Sequence, residues 1–305
     1  MKIYFDNVNF GSRSGPNTFA HRLAESLTSN HAVDIVKSND DCDVFLCFIE
    51  PTQVPKTTAR FIQRLDGIWF KPEQFHAHNL GIRWAYDNSH HVIWQSNFDM
   101  GMTTRWWGNR SGTVIHNGIK ASNVRISEPF ISLRARYDRV FVSSANWHRQ
   151  KRLKENIELF RLVANDNDVM IVLGKNPDYH SEDPRIIFFG DQDHDTCMQV
   201  YSIADWMIHL AWLDHCPNVV IEAISCGCPV ICTDSGGTKE IVGKNGIILN
   251  EDIGYNFELL DYDKPYNFSF PDIQLIKPDI DSTHLNIDIV TEKYYDVLTG
   301  GGLND

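Results

Sequence analysis

Asp214 and Glu222 stand eight residues apart in the segment DHCPNVVIEAISCGCPVICTDSGGTKE, residues 214–240. At that spacing a loop acid and a helix acid can converge on one ligand. Between them, Pro217-Asn218 opens a helix, with Val219 next. The unpaired N–H groups and positive dipole at such a helix start suit a phosphate. Gly227 ends the helix as a C′ glycine. A short apolar strand follows, and Gly236-Gly237 then lets backbone approach a ligand closely. An ordinary helix–turn–strand accounts for the glycines, but not for an acid pair around a Pro-Asn helix start.

Other residues fit the same chemistry. Arg149, Lys151 and Arg152 cluster at the start of an amphipathic helix. Cations are unfavourable at that end of a helix dipole, so their clustering points to a bound anion. Gly190, Asp191 and Gln192 form a strand-to-helix loop, and Gly11–Asn17, with Gly11 and Gly15, forms a glycine loop after the first strand. Asp66, in Arg64-Leu65-Asp66-Gly67, either orients a hydroxyl or closes a turn. Asn117-Gly118 reads as a structural turn. His76, His78, His90 and His91 suggest a metal by spacing alone. His76 and His78 point to different sides of a helix, and no third ligand is evident, so no metal site is expected. Trp94 and Trp106-Trp107 read as core or cleft wall.

Strand and helix signals alternate along the chain. Strands are expected at Lys2–Phe5, Ala32–Val36, Val44–Ile49, Arg60–Leu65, His91–Gln95, Arg139–Ser143, Val169–Leu173, Ile186–Phe189, Trp206–Leu210 and Pro229–Thr233. Helical spacing marks 19–27, 74–90, 152–165, 195–204, 219–226 and about 286–298. This alternation implies parallel sheets covered by helices. The rhythm fails over 119–137, which places a linker there and domains at 1–122 and 123–305. The last helix is expected to pack back toward the first domain.

A chain of 305 residues, 42% hydrophobic and 22% charged, is long enough for two globular domains. Its 28 Lys and Arg against 40 Asp and Glu give a net charge of −12, which disfavours nucleic-acid binding. No apolar run reaches the roughly 18 residues of a membrane span, so membrane contact is at most peripheral. The N-terminus lacks the apolar stretch of a signal peptide. Seven cysteines without a Cys-x-x-Cys pair fit a reducing cytoplasm.

The 214–240 segment resembles the retaining GT-B glycosyltransferases of the family-4 type. Their pattern of an acid, seven residues, a Glu, then Pro-Val-Ile and Gly-Gly-x-x-Glu falls on Asp214, Glu222, Pro229-Val230-Ile231, Gly236-Gly237 and Glu240. The first acid is usually Glu and is Asp here. Ser143–Phe160 resembles the family's strand, loop and helix that carry an Arg and a Lys for the diphosphate. The Lys falls on Lys151 and the Arg on Asn146, which leaves Arg149 or Arg152 to supply the charge. Phe188–Ala204 resembles the loop over the nucleotide base, and Val114–Ile119 the turn that ends the first domain.

The resemblance implies an α/β GT-B fold, two Rossmann-like domains facing across a cleft, the first one short. It implies transfer of a sugar from a nucleoside diphosphate, UDP or GDP, to a hydroxyl acceptor with retention. Glu222 would hold the donor ribose and Asp214 the donor sugar. Lys151 and Arg152, with the helix at Pro217, Asn218 and Val219, would neutralise the diphosphate in place of a metal. Gly11, Gly15, Arg149, Gly190 and Gln192 complete the expected donor contacts, and Asp66 joins Asp214 and Lys151 as a catalytic candidate. No resident cofactor is expected; the acceptor is a glycan, a lipid-linked sugar or another hydroxyl compound. Rival readings are a GT-B nucleotide-sugar epimerase and a non-catalytic sugar or nucleotide binder.

Overall fold

The structure, a computed structural model, describes residues 1–12, 14–120 and 124–301. Arg13 of the glycine loop and the expected domain boundary at 122/123 lie outside the described residues. The chain divides into two compact units. One comprises residues 1–120, 256–260 and 283–305, the other residues 121–255 and 261–282.

The first unit is built on β1 (Lys2–Asp6), α1 (Gly15–Asn30), β2 (Asp34–Val36), β3 (Val44–Phe48), β4 (Arg60–Leu65), α2 (Pro72–His78), α3 (Leu80–Asn88), β5 (His91–Trp94), α4 (Asn97–Trp107) and β6 (Gly112–Val114). Its strands form one parallel sheet in the order β2-β1-β3-β4-β5-β6. The central strand β3, VFLCF, is buried at all five positions, as a strand covered on both faces must be. Helix α1 starts with Pro16 in its first turn and buries Phe19, Ala20, Leu23 and Leu27 along one face.

The apolar periodicity over 74–90 predicts one helix, but the structure has two, broken at Asn79. That residue is buried, and its side-chain amide accepts from Trp69 N–H at 3.0 Å and donates to the Trp69 and Phe75 carbonyls, each at 2.7 Å. Helix α4 was not anticipated. Its start was legible: the Ser96 hydroxyl accepts the Asp99 N–H, and Ser-x-x-Asp is a helix-start spacing.

The second unit comprises α5 (Glu128–Arg136), β7 (Val140–Ser144), α6 (Leu153–Val163), β8 (Val169–Leu173), β9 (Ile186–Gly190), α7 (His194–Ile203), β10 (Trp206–His209), α8 (Asn218–Ser225), β11 (Val230–Thr233), α9 (Thr238–Val242) and β12 (Gly246–Leu249). Its sheet is also parallel and six-stranded, in the order β12-β11-β10-β7-β8-β9. Leu153, Ile157 and Phe160 of α6 pack with Phe141, Met170 and Ile208 of the strands to form its core. Helix α5, inside the stretch expected to be a linker, buries none of its residues, so no apolar stripe advertised it. The short α9 and β12 also escaped the sequence pattern.

The last helix, α10 (Ile287–Thr299), belongs to the first unit. Ile287, Val290, Tyr294, Val297 and Leu298 enter that unit's core beside Phe19 and Leu23. Asp288 accepts hydrogen bonds from Ser26 at 2.9 Å and Asn30 at 2.8 Å, and the His31 and Tyr295 rings stack at 4.0 Å. A Cβ at Gly118 would lie 2.9 Å from Val290 Cγ2, so the Asn117-Gly118 turn lets this helix approach closely.

Candidate functional site at the carboxyl ends of the second sheet

The chain of the second unit starts in the middle of its sheet. It lays β8 and β9 on one side of β7, then returns to lay β10 on the other. At such a reversal the loops leaving adjacent strands diverge, and ligands of open α/β sheets bind in the crevice left there. Lys151 follows β7 and Asp214 follows β10, so the two residues flank this switch point.

The structure brings them together. Lys151 Nζ donates to Asp214 Oδ2 at 2.5 Å. His209, the last residue of β10, places Nε2 3.4 Å from the same oxygen, and the His215 N–H donates to Asp214 Oδ1 at 2.9 Å. Burial works against the carboxylate charge, but Lys151 and His209 outweigh it and hold Asp214 well below the usual carboxylate range. Burial also depresses the pKa of His209, against the pull of Asp214.

Backbone and amide contacts hold this geometry. Gln150 and Trp212 bond reciprocally: Trp212 N–H donates to Gln150 O, and Gln150 Nε2 to Trp212 O, both at 2.9 Å. Buried Asn156 accepts the Leu210 N–H at 2.9 Å and donates to Lys151 O at 3.2 Å. Leu213 adopts φ +56°, a left-handed conformation that costs an L-residue energy and turns the chain into Asp214. The Gly237 N–H donates to Asp214 O at 2.7 Å, and a Cβ at Gly236 would lie 2.5 Å from that oxygen. The glycine pair is therefore a requirement of close packing on the Asp214 loop. His209, Gln150 and Asn156 were not singled out in the sequence, because nothing in their spacing links them to an acid elsewhere in the chain.

Pro217 precedes α8, and Asn218 and Val219 form its first turn, where the leading N–H groups point out of the helix. Glu222 lies one turn in and is buried, with Oε1 3.8 Å from Nδ1 of His194, the first residue of α7. Gly190 ends β9 at φ +69° and accepts the Gly174 N–H at 2.7 Å. Gln192 is exposed, and its amide donates back to Phe189 O at 2.7 Å. Asp191 pairs with Lys175 at 3.1 Å at the surface.

Two expected donor contacts are otherwise engaged. Arg152 is fully buried; its guanidinium makes two bonds to Glu251, at 2.6 and 3.1 Å, and a third to Tyr266 O at 3.0 Å. A bidentate pair in that setting fixes the loop and leaves little of the cation for a phosphate. Arg149 likewise pairs twice with Glu155, at 2.9 and 2.5 Å. Lys151 is thus the cation of the cluster placed beside Asp214.

In the first unit, the glycine loop follows β1 at that sheet's own switch point, where β2 and β3 flank β1. Gly11 N–H donates to Asn9 Oδ1 at 2.9 Å, and Gly15 opens α1. Asp6, fully buried at the end of β1, accepts from the Thr52 N–H at 2.7 Å and the Thr52 hydroxyl at 2.5 Å. Asp66 follows β4 and forms an ion pair with Arg64. Arg64 is itself buried over the Phe19 and Phe48 rings and donates to Asn117 Oδ1 at 2.6 Å. Asn117, read as a turn residue, therefore also has a side-chain role, and it donates on to Gln95 at 3.1 Å.

The histidines separate. The His78 ring meets Trp69, His90 Nδ1 takes the Phe61 N–H at 3.0 Å, and His91 Nε2 lies 2.9 Å from Thr113 Oγ1. Among the described residues no three His, Cys, Asp or Glu side chains form a metal-binding group, and no helix is long and apolar enough to cross a membrane.

Residues 125–252 match the family described as Glycosyl transferases group 1. This segment is similar to that family. It contains Lys151, Asp214, Glu222 and both glycines of the 236–237 turn. The chain is 27% identical to N-acetyl-alpha-D-glucosaminyl L-malate synthase of Bacillus anthracis over 135 residues, which cover 41% of this chain and 33% of that protein. The matched stretch thus spans about a third of the relative's length. Among solved structures, Anabaena HepE in complex with UDP and glucose superposes with a TM-score of 0.66 at 18% identity, covering 98% of this chain and 100% of that one. A glycosyltransferase from Rickettsia africae superposes with a TM-score of 0.63 at 14% identity, covering 100% and 99%. The two six-stranded parallel sheets are those of the GT-B fold.

Proposed function

We propose that this chain is a glycosyltransferase that moves a sugar from a nucleoside diphosphate to a hydroxyl acceptor with retention and without a metal. The observation that carries this reading is the Lys151–Asp214 pair at the β7/β10 switch point, inside the segment of the glycosyltransferase family. Lys151 takes the diphosphate, helped by the first-turn amides of α8 at Asn218 and Val219. Asp214 takes a hydroxyl of the donor sugar, and Glu222 the ribose. The bond from the anomeric carbon to the diphosphate oxygen breaks, one from that carbon to the acceptor oxygen forms, and the acceptor's proton passes to the leaving diphosphate. Fixed charges and dipoles at the leaving diphosphate stabilise the transition state without reorganising.

The donor is a UDP- or GDP-sugar; complexes of the Anabaena protein with UDP and UDP-glucose favour UDP as the first to try. The protein works in the cytoplasm, on a glycan or lipid-linked acceptor. The test is incubation of the whole chain with UDP- and GDP-sugars and a panel of acceptors in EDTA, followed by mass spectrometry and NMR of the new linkage. Transfer with retention in EDTA is expected. Consumption of no donor contradicts the assignment, activity restored only by magnesium contradicts metal independence, and an epimerised nucleotide sugar with no transfer product points to the epimerase reading. An Asp214→Ala protein that folds and transfers at the full rate overturns the site assignment.

A further inference from the structure

We propose that His209 is a positioning residue that keeps Asp214 ionised and aimed when the donor diphosphate draws Lys151 away. This inference rests on the transferase reading above. Three donors hold the Asp214 carboxylate in the free protein: Lys151 Nζ and His209 Nε2 on Oδ2, and the His215 N–H on Oδ1. They differ in freedom. The His215 donor is backbone. His209 is 2% exposed and ends a strand whose pairing fixes it opposite Cys232. Its next residue, Leu210, is anchored through its N–H to Asn156. Lys151 is a flexible chain with part of its side chain in solvent.

A diphosphate therefore competes with Asp214 for Lys151 alone. Once that ammonium turns to the phosphate, a carboxylate in a nearly dry site keeps its charge only through the donors that stay. His209 supplies the side-chain one, as a neutral imidazole protonated at Nε2. The charged groups acting on the ring are Asp214, which favours its protonation, and Lys151, which opposes it; burial outweighs the attraction and keeps the ring neutral. His209 is too buried to touch substrate, so it acts through Asp214.

The test compares His209→Leu, His209→Gln and His209→Asn in the whole chain, by kcat, donor KM and the pH profile of kcat. Gln carries an N–H near the place of Nε2; Asn falls short of it. The Leu variant is expected to lose at least tenfold in kcat with donor KM changed less than twofold. Its acidic limb moves to higher pH, because losing a donor raises the Asp214 pKa. Gln restores most of the rate and Asn does not. If the Leu variant fails to fold, the Gln and Asn pair decides. Equal rates and equal acidic limbs for Gln and Asn, or a Leu variant with wild-type kcat, overturn the inference and leave the transferase reading standing. A wild-type chain that consumes no nucleoside-diphosphate sugar overturns both.

Discussion

A largely buried carboxylate stays ionised only where donors converge on it, and Asp214 shows how that is arranged. Asp214 depends on a lysine from one loop and a histidine from a strand end. Replacing Lys151 with Met is expected to lower kcat/KM on the order of a hundredfold, the scale of losing one charge-stabilising donor. It is also expected to lower stability by about 2 kcal/mol, a buried-pair loss discounted for the part-exposed lysine. Steady-state kinetics and denaturant melts check both. Asp183 shows the effect away from the site. Bonds from Arg185, and a weaker one from Arg161, bring its pKa from an ordinary 3.8 down to about 2. A depressed pKa contributes stability above the ordinary value and loses it as pH falls through the folded one. Asp183→Asn should therefore flatten acid destabilisation between pH 4 and pH 2, and an unchanged acid melt would contradict the pairing. The acids and the glycines are marked in the sequence by their local spacing, and Lys151 by its cluster with Arg149 and Arg152. The engagement of Arg149 and Arg152 was not legible, since Glu155 lies on the following helix and Glu251 about a hundred residues on. Spacing alone could not separate a cation fixed by its own pair from one left to meet a ligand.

At the scale of elements, ten of the twelve described strands were legible to within two residues, because buried parallel strands are short unbroken apolar runs; the short β6 and β12, only partly buried, were missed. Helices depend on one apolar stripe, and where the stripe was weak the reading failed: α5 buries nothing, and Asn79 splits an otherwise helical run. The loops at the strand ends are held by backbone approach, which glycine substitution can probe. A Cβ at Gly174, at φ +110°, would lie 1.7 Å from Ala145 O, whereas one at Gly190, at φ +69°, meets nothing within 4 Å. Gly190→Ala should then cost only the left-handed conformation, about 1 kcal/mol. Gly174→Ala must move backbone and should cost about 3 kcal/mol or more. Gly236→Ala crowds Asp214 O directly, so its loss of activity is expected to exceed its loss of stability. Thermal melts of the three variants beside their transfer rates test this order.

For the whole molecule, the sequence pattern indicated two α/β units with a linker over 119–137. It did not reveal that residues 256–260 return to the first unit, because their contacts are with residues far back in the chain. Phe257 packs against Phe98 and would overlap a Cβ at Gly101, and its carbonyl accepts from Trp106 Nε1 at 2.9 Å. The Leu260 N–H donates to Phe70 O at 3.0 Å. With α10 in the core as well, the first unit is completed by two late segments of the chain. A single engineered protease cut between Lys120 and Val124 should therefore give fragments that co-elute on gel filtration and part only in denaturant. Separation in plain buffer would contradict this. Removal of residues 283–305 should prevent the first unit from folding, since it strips five buried side chains from the core.

The central claim is that Lys151 and Asp214, with Glu222 behind the first turn of α8, hold a nucleoside diphosphate. Calorimetric titration of the whole chain with UDP and GDP in EDTA tests it most directly. One of the two should bind the wild type, at least tenfold more weakly in Lys151→Met and in Glu222→Ala. Equal affinity of both variants and the wild type, or no binding of either nucleotide, would contradict the account.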